Sequence, residues 1–159
     1  MFLTAIGQDS HRFEPDDSKK RLVMGGITID GCVGLAGNSD ADVVLHAITN
    51  AISGISCVNI LGKISDDLCL KDKVTDSKAY LAKAIETLTM YRIVHISLSI
   101  EARRPHLSSC IPLMRNSIAS LLGLNSDHVG ITATTGEGLT SFGRGEGIQV
   151  FAIITVEKK

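Results

Sequence analysis

Two short segments near the start of the chain carry side chains that could bind a metal ion. Residues 7–11 read Gly-Gln-Asp-Ser-His, and residues 39–46 read Ser-Asp-Ala-Asp-Val-Val-Leu-His. One carboxylate and two imidazoles suit a divalent ion such as Zn²⁺, and three protein ligands leave a fourth position for a substrate oxygen. An open position is typical of a metal that takes part in chemistry, so these segments are candidate halves of a catalytic centre.

The spacing within each segment decides which side chains can reach one ion. Residues two apart in a strand face the same way, so Asp9 and His11 can bind together. Residues four apart on a helix share a face, so Asp42 could orient His46, the third candidate ligand. The alternative is that Asp9 and His11 are ordinary loop residues and that His46 is a hydrogen-bonded helix histidine.

Two glycine-containing segments near the other end of the chain were considered as phosphate sites. Residues 133–138 read Ala-Thr-Thr-Gly-Glu-Gly. Their amides and hydroxyls suit phosphate oxygens, and Glu137 could hold Mg²⁺ between phosphates, although an ordinary turn is the alternative. Residues 142–147 lack the glycine order of the P-loop and of dinucleotide-binding folds, so a glycine-rich loop with a surface ion pair is the simplest interpretation.

Length and composition predict one folded domain over residues 1–159. The chain is 44% hydrophobic and 21% charged, which supplies a core and argues against disorder. Its formal net charge of -1 argues against nucleic-acid binding, and Arg103-Arg104 is interpreted as a solvated loop. No apolar run is long enough for a membrane span. Four cysteines without C-x-x-C spacing predict free thiols and a cytoplasmic location.

Hydrophobic periodicity predicts the elements that must position these candidates. We expect strands at 3–6, 22–30, 93–102, 129–134 and 148–156, and helices at 39–55, 77–91 and 108–123. The first two strands would form a β-hairpin, and residues 59–76 would form a long mobile loop. The strand at 148–156 is apolar on both faces, which predicts burial on both, in a core or at a subunit interface. The order predicts an α+β fold with one sheet backed by helices.

Taken together, these residues resemble the 2-C-methyl-D-erythritol 2,4-cyclodiphosphate synthases of the non-mevalonate isoprenoid pathway. The matching pieces occur in family order from end to end of the chain. They are Gly7-Gln8-Asp9-Ser10-His11-Arg12-Phe13, Met24-Gly25-Gly26, Ser39-Asp40-Ala41-Asp42 with His46, Asp76-Ser77, Ala102 with Pro105, Ala133-Thr134-Thr135 with Glu137, and Gly143-Arg144-Gly145-Glu146-Gly147-Ile148.

The resemblance implies a metal-dependent cyclase, a phosphorus–oxygen lyase that releases CMP. Its substrate would be 4-diphosphocytidyl-2-C-methyl-D-erythritol 2-phosphate, whose 2-phosphate attacks the β-phosphorus of the diphosphate and closes a ring. The resemblance also implies a homotrimer with active sites between neighbouring subunits. One Zn²⁺ per subunit would lie on Asp9, His11 and His46, and Mg²⁺ or Mn²⁺ would accompany the diphosphate near Glu137.

The same resemblance assigns roles to individual residues. Asn38 and Thr135 would be catalytic, and the cytidine would lie around 102–108 with Ala133 and Thr135. Arg144 would lie near the trimer axis, where the family can bind a prenyl diphosphate. The implied substrate-binding residues are Asp9, Ser10, His11, Asn38, Ser39, Gly62, Ala102, Pro105, His106, Leu107, Ser108, Ala133, Thr134, Thr135, Gly136, Glu137, Ser141 and Arg144.

The chain departs from the family pattern at five places. Asn38 replaces a histidine, Ile60-Leu61-Gly62 replaces Asp-Ile-Gly, Ser65-Asp66-Asp67 replaces Phe-Pro-Asp, His106 replaces a lysine, and Gly136 replaces a threonine. These differences keep a second hypothesis open, a non-catalytic or altered-specificity relative that binds a nucleotide or a prenyl diphosphate. A zinc hydrolase acting on phosphate esters is a third.

Overall fold

The computed structural model describes all residues from Met1 to Lys159 as an α+β fold. Two short 3₁₀ turns, Ser126–His128 and Gly136–Gly138, flank the fifth strand. Six strands and four helices follow one another along the chain: β1 (Phe2–Arg12), β2 (Arg21–Met24), β3 (Ile27–Val33), α1 (Val43–Ser56), α2 (Lys63–Leu70), α3 (Ser77–Glu86), β4 (Tyr91–Ala102), α4 (Ile111–Leu122), β5 (Val129–Thr134) and β6 (Gly147–Lys158).

The main sheet has four strands in the order β1-β6-β4-β5. β6 is antiparallel to both β1 and β4, whereas β4 and β5 are parallel. α1 packs on β1 and β6, and α4 packs beside β5, so the helices cover one face of the sheet. The predicted α+β fold with one sheet backed by helices is confirmed.

The hairpin lies elsewhere than predicted. β1 pairs with β6 along its whole length instead of pairing with residues 22–30. The predicted strand at 22–30 is divided at Gly25-Gly26 into β2 and β3, which pair with each other. Both glycines have positive φ, 62° and 79°. Two consecutive residues of this kind form the tight turn that joins antiparallel strands, so the glycine pair marks a turn and not a bulge within one strand.

Asp42 connects this hairpin to the start of α1. It is the N-cap of the helix, and its carboxylate accepts hydrogen bonds from the amides of Val44 and Leu45. The same carboxylate accepts the amides of Gly25 and Gly26. Because Asp42 is fully buried and its oxygens are used by backbone amides, the predicted role of orienting the His46 ring is wrong.

Gly7 allows α1 to lie directly on β1. A Cβ at this position would be 2.1 Å from the Ala47 carbonyl oxygen and 2.3 Å from the Ala51 amide nitrogen. Only a residue without a side chain permits this approach. The close packing occurs two residues before Asp9 and one residue after His46 on the helix, so it brings the two candidate metal-binding segments together.

Residues 59–76 contain a helix that the sequence reading missed. α2 occupies Lys63–Leu70, where a mobile loop was predicted. Its first turn is closed by Ser65, whose hydroxyl oxygen accepts from the Gly62 amide. The segment is mostly polar, and the helix in it has only eight residues, so the sequence favours an irregular loop. Asp76 accepts the capping hydrogen bond of α3, and Gly123 ends α4 in the left-handed conformation.

One hydrophobic core of 33 buried residues unites the elements. The inward residues of β6 are fully buried, but Phe151 and Ile153 on its other face are 42% and 44% exposed. One chain alone therefore does not bury both faces of this strand, and burial of the second face at a subunit interface stays a prediction. All four cysteines are free thiols, as expected. None of the helices combines the length and the apolar composition that crossing a membrane requires.

Candidate active site

The three predicted metal ligands lie together at the junction of β1 and α1. His11 Nε2 is 2.9 Å from Asp9 Oδ2, His46 Nδ1 is 3.1 Å from the same oxygen, and the two histidine nitrogens are 3.3 Å apart. His46 is buried, and the other two are partly buried. We call Asp9, His11 and His46 the ligand triad.

The hydrogen bonds behind His11 set the direction of its lone pair. Its Nδ1 is 2.8 Å from the carbonyl oxygen of Ala36, which can only accept, so Nδ1 carries the hydrogen. In the neutral ring, Nε2 therefore presents a lone pair towards Asp9. His46 similarly directs Nδ1 at Asp9 and has its Nε2 against the hydroxyl of Ser77, at 2.9 Å.

The triad also perturbs its own protonation. Burial opposes ionisation of Asp9, but hydrogen bonds from His11 and His46 outweigh burial and lower the pKa of the carboxyl. Burial acts to lower the pKa of His11, but the hydrogen bond and the charge of Asp9 outweigh it and raise that pKa. A carboxylate that stays ionised is ready to bind a cation, whereas a proton on His11 competes with one.

The residues present fit a divalent ion. Zinc binds nitrogen and oxygen ligands at about 2.0–2.2 Å, and tetrahedral geometry at such lengths separates ligand atoms by about 3.3 Å. The three separations in the triad, 2.9, 3.1 and 3.3 Å, are close to that value. Three electron-rich atoms at such distances repel one another unless a cation or a proton lies between them.

A cavity of about 140 Å³ opens beside the triad. It contains two predicted substrate-binding residues, Asn38 and Ser39, next to His11 and His46. Its remaining walls were not predicted. They are Ser65, Asp66 and Cys69 of the missed helix α2, with Gly37, Leu61 and Tyr80 from outside that helix. We call this space the triad cavity.

A second cavity, also about 140 Å³, contains most of the predicted cytidine-binding residues. It lies where the parallel strands β4 and β5 end, because Ile100 pairs with Ala133 at this edge. We call it the β4–β5 cavity. Its lining is Ala102, Arg103, Pro105, His106, Leu107, Ser108, Ile111, Ala133, Thr134 and Thr135.

The two cavities are separate within one chain. Ala102 and His11 both pair with Ile148, from opposite sides of β6, so both cavities are at the same end of the sheet. β1 and β5 are three strand spacings apart, or about 14 Å. The cavities share no lining residue.

The turn after β5 has donors that phosphate oxygens could use. The hydroxyl oxygens of Thr134 and Thr135 accept from the amides of Gly136 and Glu137, which leaves each hydroxyl hydrogen free to donate. Glu137 has φ 49° and an exposed side chain. Its carboxylate is not part of the ligand triad, so the chain alone does not bring it together with other metal ligands.

The other predicted substrate-binding residues lie outside both cavities. Ser10 and Ser141 line a broad depression that also reaches His11, and Ser141 accepts from Arg144. Arg144 Nε is 3.0 Å from Glu146 Oε1, which is the surface ion pair foreseen in the sequence. Gly62 caps α2.

Three polar residues that organise the site were missed as such. Ser77 contacts His46, and Asp40 accepts hydrogen bonds from both the amide and the hydroxyl of Ser77. Glu101, at the end of β4, accepts from the hydroxyl of Thr140 and so holds the glycine-rich segment against the sheet. Asp40 and Ser77 belong to the matched motifs, but only the folded chain shows their contact with a ligand.

Comparison with known proteins decides the family. The model of the YgbB family matches residues 2–157. The chain belongs to the YgbB family. This result agrees with the resemblance found in the sequence, because a 2-C-methyl-D-erythritol 2,4-cyclodiphosphate synthase of Chlamydia trachomatis serovar L2b (strain UCH-1/proctitis) is 44% identical over 157 residues, covering 98% of this chain and 88% of that protein.

Solved structures agree with this family assignment. The bifunctional IspDF from Campylobacter jejuni matches with a TM-score of 0.89 and 28% identity, over 100% of this chain and 43% of that chain. A 2C-methyl-D-erythritol-2,4-cyclodiphosphate synthase in a CDP-bound form matches with a TM-score of 0.80 and 26% identity, over 98% of this chain and 100% of the other. The YgbB fold thus spans this chain almost from end to end.

Proposed function

We propose that the chain catalyses the metal-dependent cyclisation of 4-diphosphocytidyl-2-C-methyl-D-erythritol 2-phosphate to 2-C-methyl-D-erythritol 2,4-cyclodiphosphate and CMP. The observation that carries the proposal is the ligand triad, formed within a chain that is 44% identical to a named synthase. Residues 1–159 would act as a single cyclodiphosphate-synthase-like domain in isoprenoid biosynthesis. The activity is that of a cyclising phosphorus–oxygen lyase.

The reaction requires positioning and charge neutralisation more than a strong base. The nucleophile is an oxygen of the 2-phosphate, already anionic; its bond to the β-phosphorus forms as the bond from that phosphorus to the CMP oxygen breaks. A divalent ion on the triad would polarise the diphosphate, and Mg²⁺ or Mn²⁺ near Glu137 would neutralise its charge. Asn38 lies in the wall of the triad cavity and can donate its amide hydrogens to a phosphate oxygen.

The cytidine would occupy the β4–β5 cavity. The walls are largely small side chains and backbone, which suits a flat base, and a related structure was solved in a CDP-bound form. Thr134 and Thr135 at its mouth can donate to the phosphates that follow the nucleoside. Thr135 is the proposed catalytic donor, because its free hydroxyl hydrogen can donate to the oxygen that gains negative charge as the P–O bond breaks.

The separation of the cavities supports a homotrimer. One substrate would join the triad cavity of one subunit to the β4–β5 cavity of the next, with one Zn²⁺ per subunit. The exposed apolar side chains of Phe151 and Ile153, beside Ile6 on β1, provide an apolar surface for that association. Arg144 would lie near the trimer axis. The free thiols and the absence of a basic surplus favour a cytoplasmic enzyme without a nucleic-acid partner.

An altered-specificity relative is the second candidate, and Ile60 is the observation that favours it. Ile60 is 3% exposed and belongs to the hydrophobic core, so it offers no carboxylate for the hydroxyls of the erythritol unit. Asp66, one turn into α2, supplies a carboxylate to the triad cavity instead. Because Asp66 can replace the missing carboxylate, the cyclase remains the leading proposal.

The test is a turnover assay with product identification. Purified protein with the diphosphocytidyl substrate, Zn²⁺ and Mg²⁺ should release CMP and the cyclic diphosphate. Asp9→Ala and His46→Ala should lose bound zinc and turnover together, whereas His128→Ala, at an exposed histidine outside the triad, should keep both. No cyclic product at saturating metal would overturn the proposal, and release of inorganic phosphate would point to a hydrolase.

A further inference from the structure

A chain of hydrogen bonds runs from His46 away from the metal position. His46 Nε2 is 2.9 Å from the hydroxyl oxygen of Ser77, and that hydroxyl contacts Asp40 Oδ1. Ser77 is fully buried and His46 is 8% exposed, so water does not compete for either group. We call Asp40, Ser77 and His46 the relay.

The number of hydrogens in the relay is limited. Asp40 accepts the amide of Asp42 at Oδ1, at 3.2 Å, and the amide of Ser77 at Oδ2, at 3.1 Å. An ionised carboxylate only accepts, so the single hydroxyl hydrogen of Ser77 goes to Asp40. The Ser77 oxygen must then accept from His46, which places the ring hydrogen on Nε2.

We infer that Asp40 and Ser77 are positioning residues that hold His46 in the tautomer whose Nδ1 lone pair points at the metal position. The inference rests on the proposed metal site. Neither residue touches substrate or metal. Asp40 acts through Ser77, and Ser77 acts through His46.

The tautomer of His46 matters because the alternative, with its hydrogen on Nδ1, would block the metal position. With its hydrogen on Nδ1, His46 could donate directly to Asp9 Oδ2, which is 3.1 Å away. That hydrogen bond would occupy both atoms that the ion requires. The relay makes this arrangement unfavourable, because it would leave the buried Nε2 facing a hydroxyl that is already committed to Asp40. Asp40 and Ser77 thereby favour metal binding over a closed Asp9–His46 pair.

The first test reads the tautomer in the wild-type protein. Protein labelled with ¹⁵N-histidine, free of metal and at about pH 8, where histidine is usually neutral, gives distinct nitrogen shifts for the two tautomers. The relay predicts that His46 carries its hydrogen on Nε2. A hydrogen on Nδ1 would overturn the inference without any variant being made.

The second test measures affinity for Zn²⁺ alone, by competition with a coloured chelator. Removal of a hydrogen-bond partner of a ligating histidine typically weakens metal binding about 10- to 100-fold. We expect Ser77→Ala and Asp40→Asn to lie in that range and to populate the Nδ1–H tautomer, and Ser77→Thr, which retains the hydroxyl, to recover part of the loss. The matched control is Asp76→Asn, which removes a neighbouring carboxylate that caps α3 but does not contact His46.

Each outcome separates the inference from the proposed function. Wild-type affinity in a folded Ser77→Ala or Asp40→Asn variant, within about twofold, overturns the relay and leaves the cyclase proposal intact. A wild-type protein that binds no Zn²⁺ overturns the proposed metal site, while the tautomer measurement still decides the relay. Far-UV circular dichroism checks folding. The two variants remove the middle member and the far end of the relay, so one folded variant is enough.

Discussion

The ligand triad and the β4–β5 cavity are built on opposite principles. The triad brings one carboxylate and two imidazoles from β1 and α1 within 3.3 Å of one another inside one chain, and hydrogen bonds behind the rings fix their directions. The β4–β5 cavity is made of small side chains and strand ends, and Ala133, Thr134 and Thr135 in it are exposed. The proposed metal site, called the metal end below, takes all three ligands from a single chain, whereas the proposed nucleotide site, called the nucleotide end, has exposed walls.

The difference indicates which of the two proposed sites acquires its geometry when the chain folds. A metal site tolerates little error in ligand direction, so its geometry is set by the packing of the core. A site for a flat base tolerates more, and its final shape can be set when subunits and substrate meet. Changes in each region should therefore have separable effects.

The largest effect should come from Gly7→Ala, which should disrupt the helix–strand packing that positions the ligand triad. The added methyl would lie 2.1 Å from a backbone oxygen of α1, so the helix must move off the strand. We expect the free energy of unfolding to fall by about 3 kcal/mol or more, with weaker Zn²⁺ binding. Chemical denaturation and zinc competition measure both.

Gly54→Ala is the matched control in the same strand–helix interface. Its Cβ would be 3.1 Å from the Ala5 methyl and at an ordinary 3.8 Å from the Ile6 carbonyl oxygen, and alanine also favours the helix. If both substitutions destabilise the protein equally, close backbone packing at Gly7 does not set the metal end.

Ile153→Asp should separate the two regions most clearly. The side chain lies on the exposed face of β6, opposite Ile6, so a charge there should prevent association without unfolding the chain. We expect turnover to fall by at least about 100-fold while Zn²⁺ affinity is unchanged. Light scattering gives the mass of the assembly.

The control for Ile153→Asp is Leu113→Asp, which adds the same charge to an exposed apolar residue on α4. This variant should keep its assembly and its turnover. Full turnover by monomeric Ile153→Asp would contradict the idea that the nucleotide end needs a neighbouring subunit.

Ala133→Leu should narrow the β4–β5 cavity and leave the ligand triad unchanged. Three more carbon atoms in a cavity of about 140 Å³ would exclude part of the base. We expect KM for the diphosphocytidyl substrate to rise about tenfold, which is about 1.4 kcal/mol, with Zn²⁺ affinity unchanged. An unchanged KM in steady-state kinetics would show that the base binds elsewhere.

The smallest effect is the pH dependence of metal binding. Asp9 raises the pKa of His11, and Zn²⁺ can bind only after that proton leaves. Affinity should therefore fall as the pH drops through the raised pKa, by up to about tenfold per pH unit. Calorimetry in two buffers with different ionisation enthalpies counts the protons released, and an equal count on both sides of the pKa would contradict the coupling.

The sequence suggested the triad because Asp9 and His11 are two residues apart on a strand and because His46 lies in a segment that matches the family pattern. Residue type and spacing alone left ordinary loop and helix residues as the alternative, and the family motifs decided between them. The relay could not be found in the same way, because Ser77 reaches His46 from 31 positions away through tertiary packing. The role of Asp42 was predicted wrongly because its four-residue spacing from His46 suggests a contact, whereas the hairpin amides use its carboxylate.

The fold was predictable where hydrophobic patterns were strong. α1, β5 and β6 were placed within a few residues, whereas α2 was missed because it has only eight residues and lies in a mostly polar segment. The pairing of β1 with β6 joins opposite ends of the chain. No local pattern specifies such a partner, so the sequence favoured the nearer and incorrect hairpin.

Asp42 has a consequence for how the protein opens. One carboxylate holds two amides of the hairpin turn, Gly25 and Gly26, and two amides of the first turn of α1, Val44 and Leu45. When the Asp42 side chain moves away, all four amides lose their hydrogen-bond acceptor together. In native-state hydrogen exchange, these four amides should therefore exchange as a single cooperative unit, although they belong to segments almost twenty residues apart.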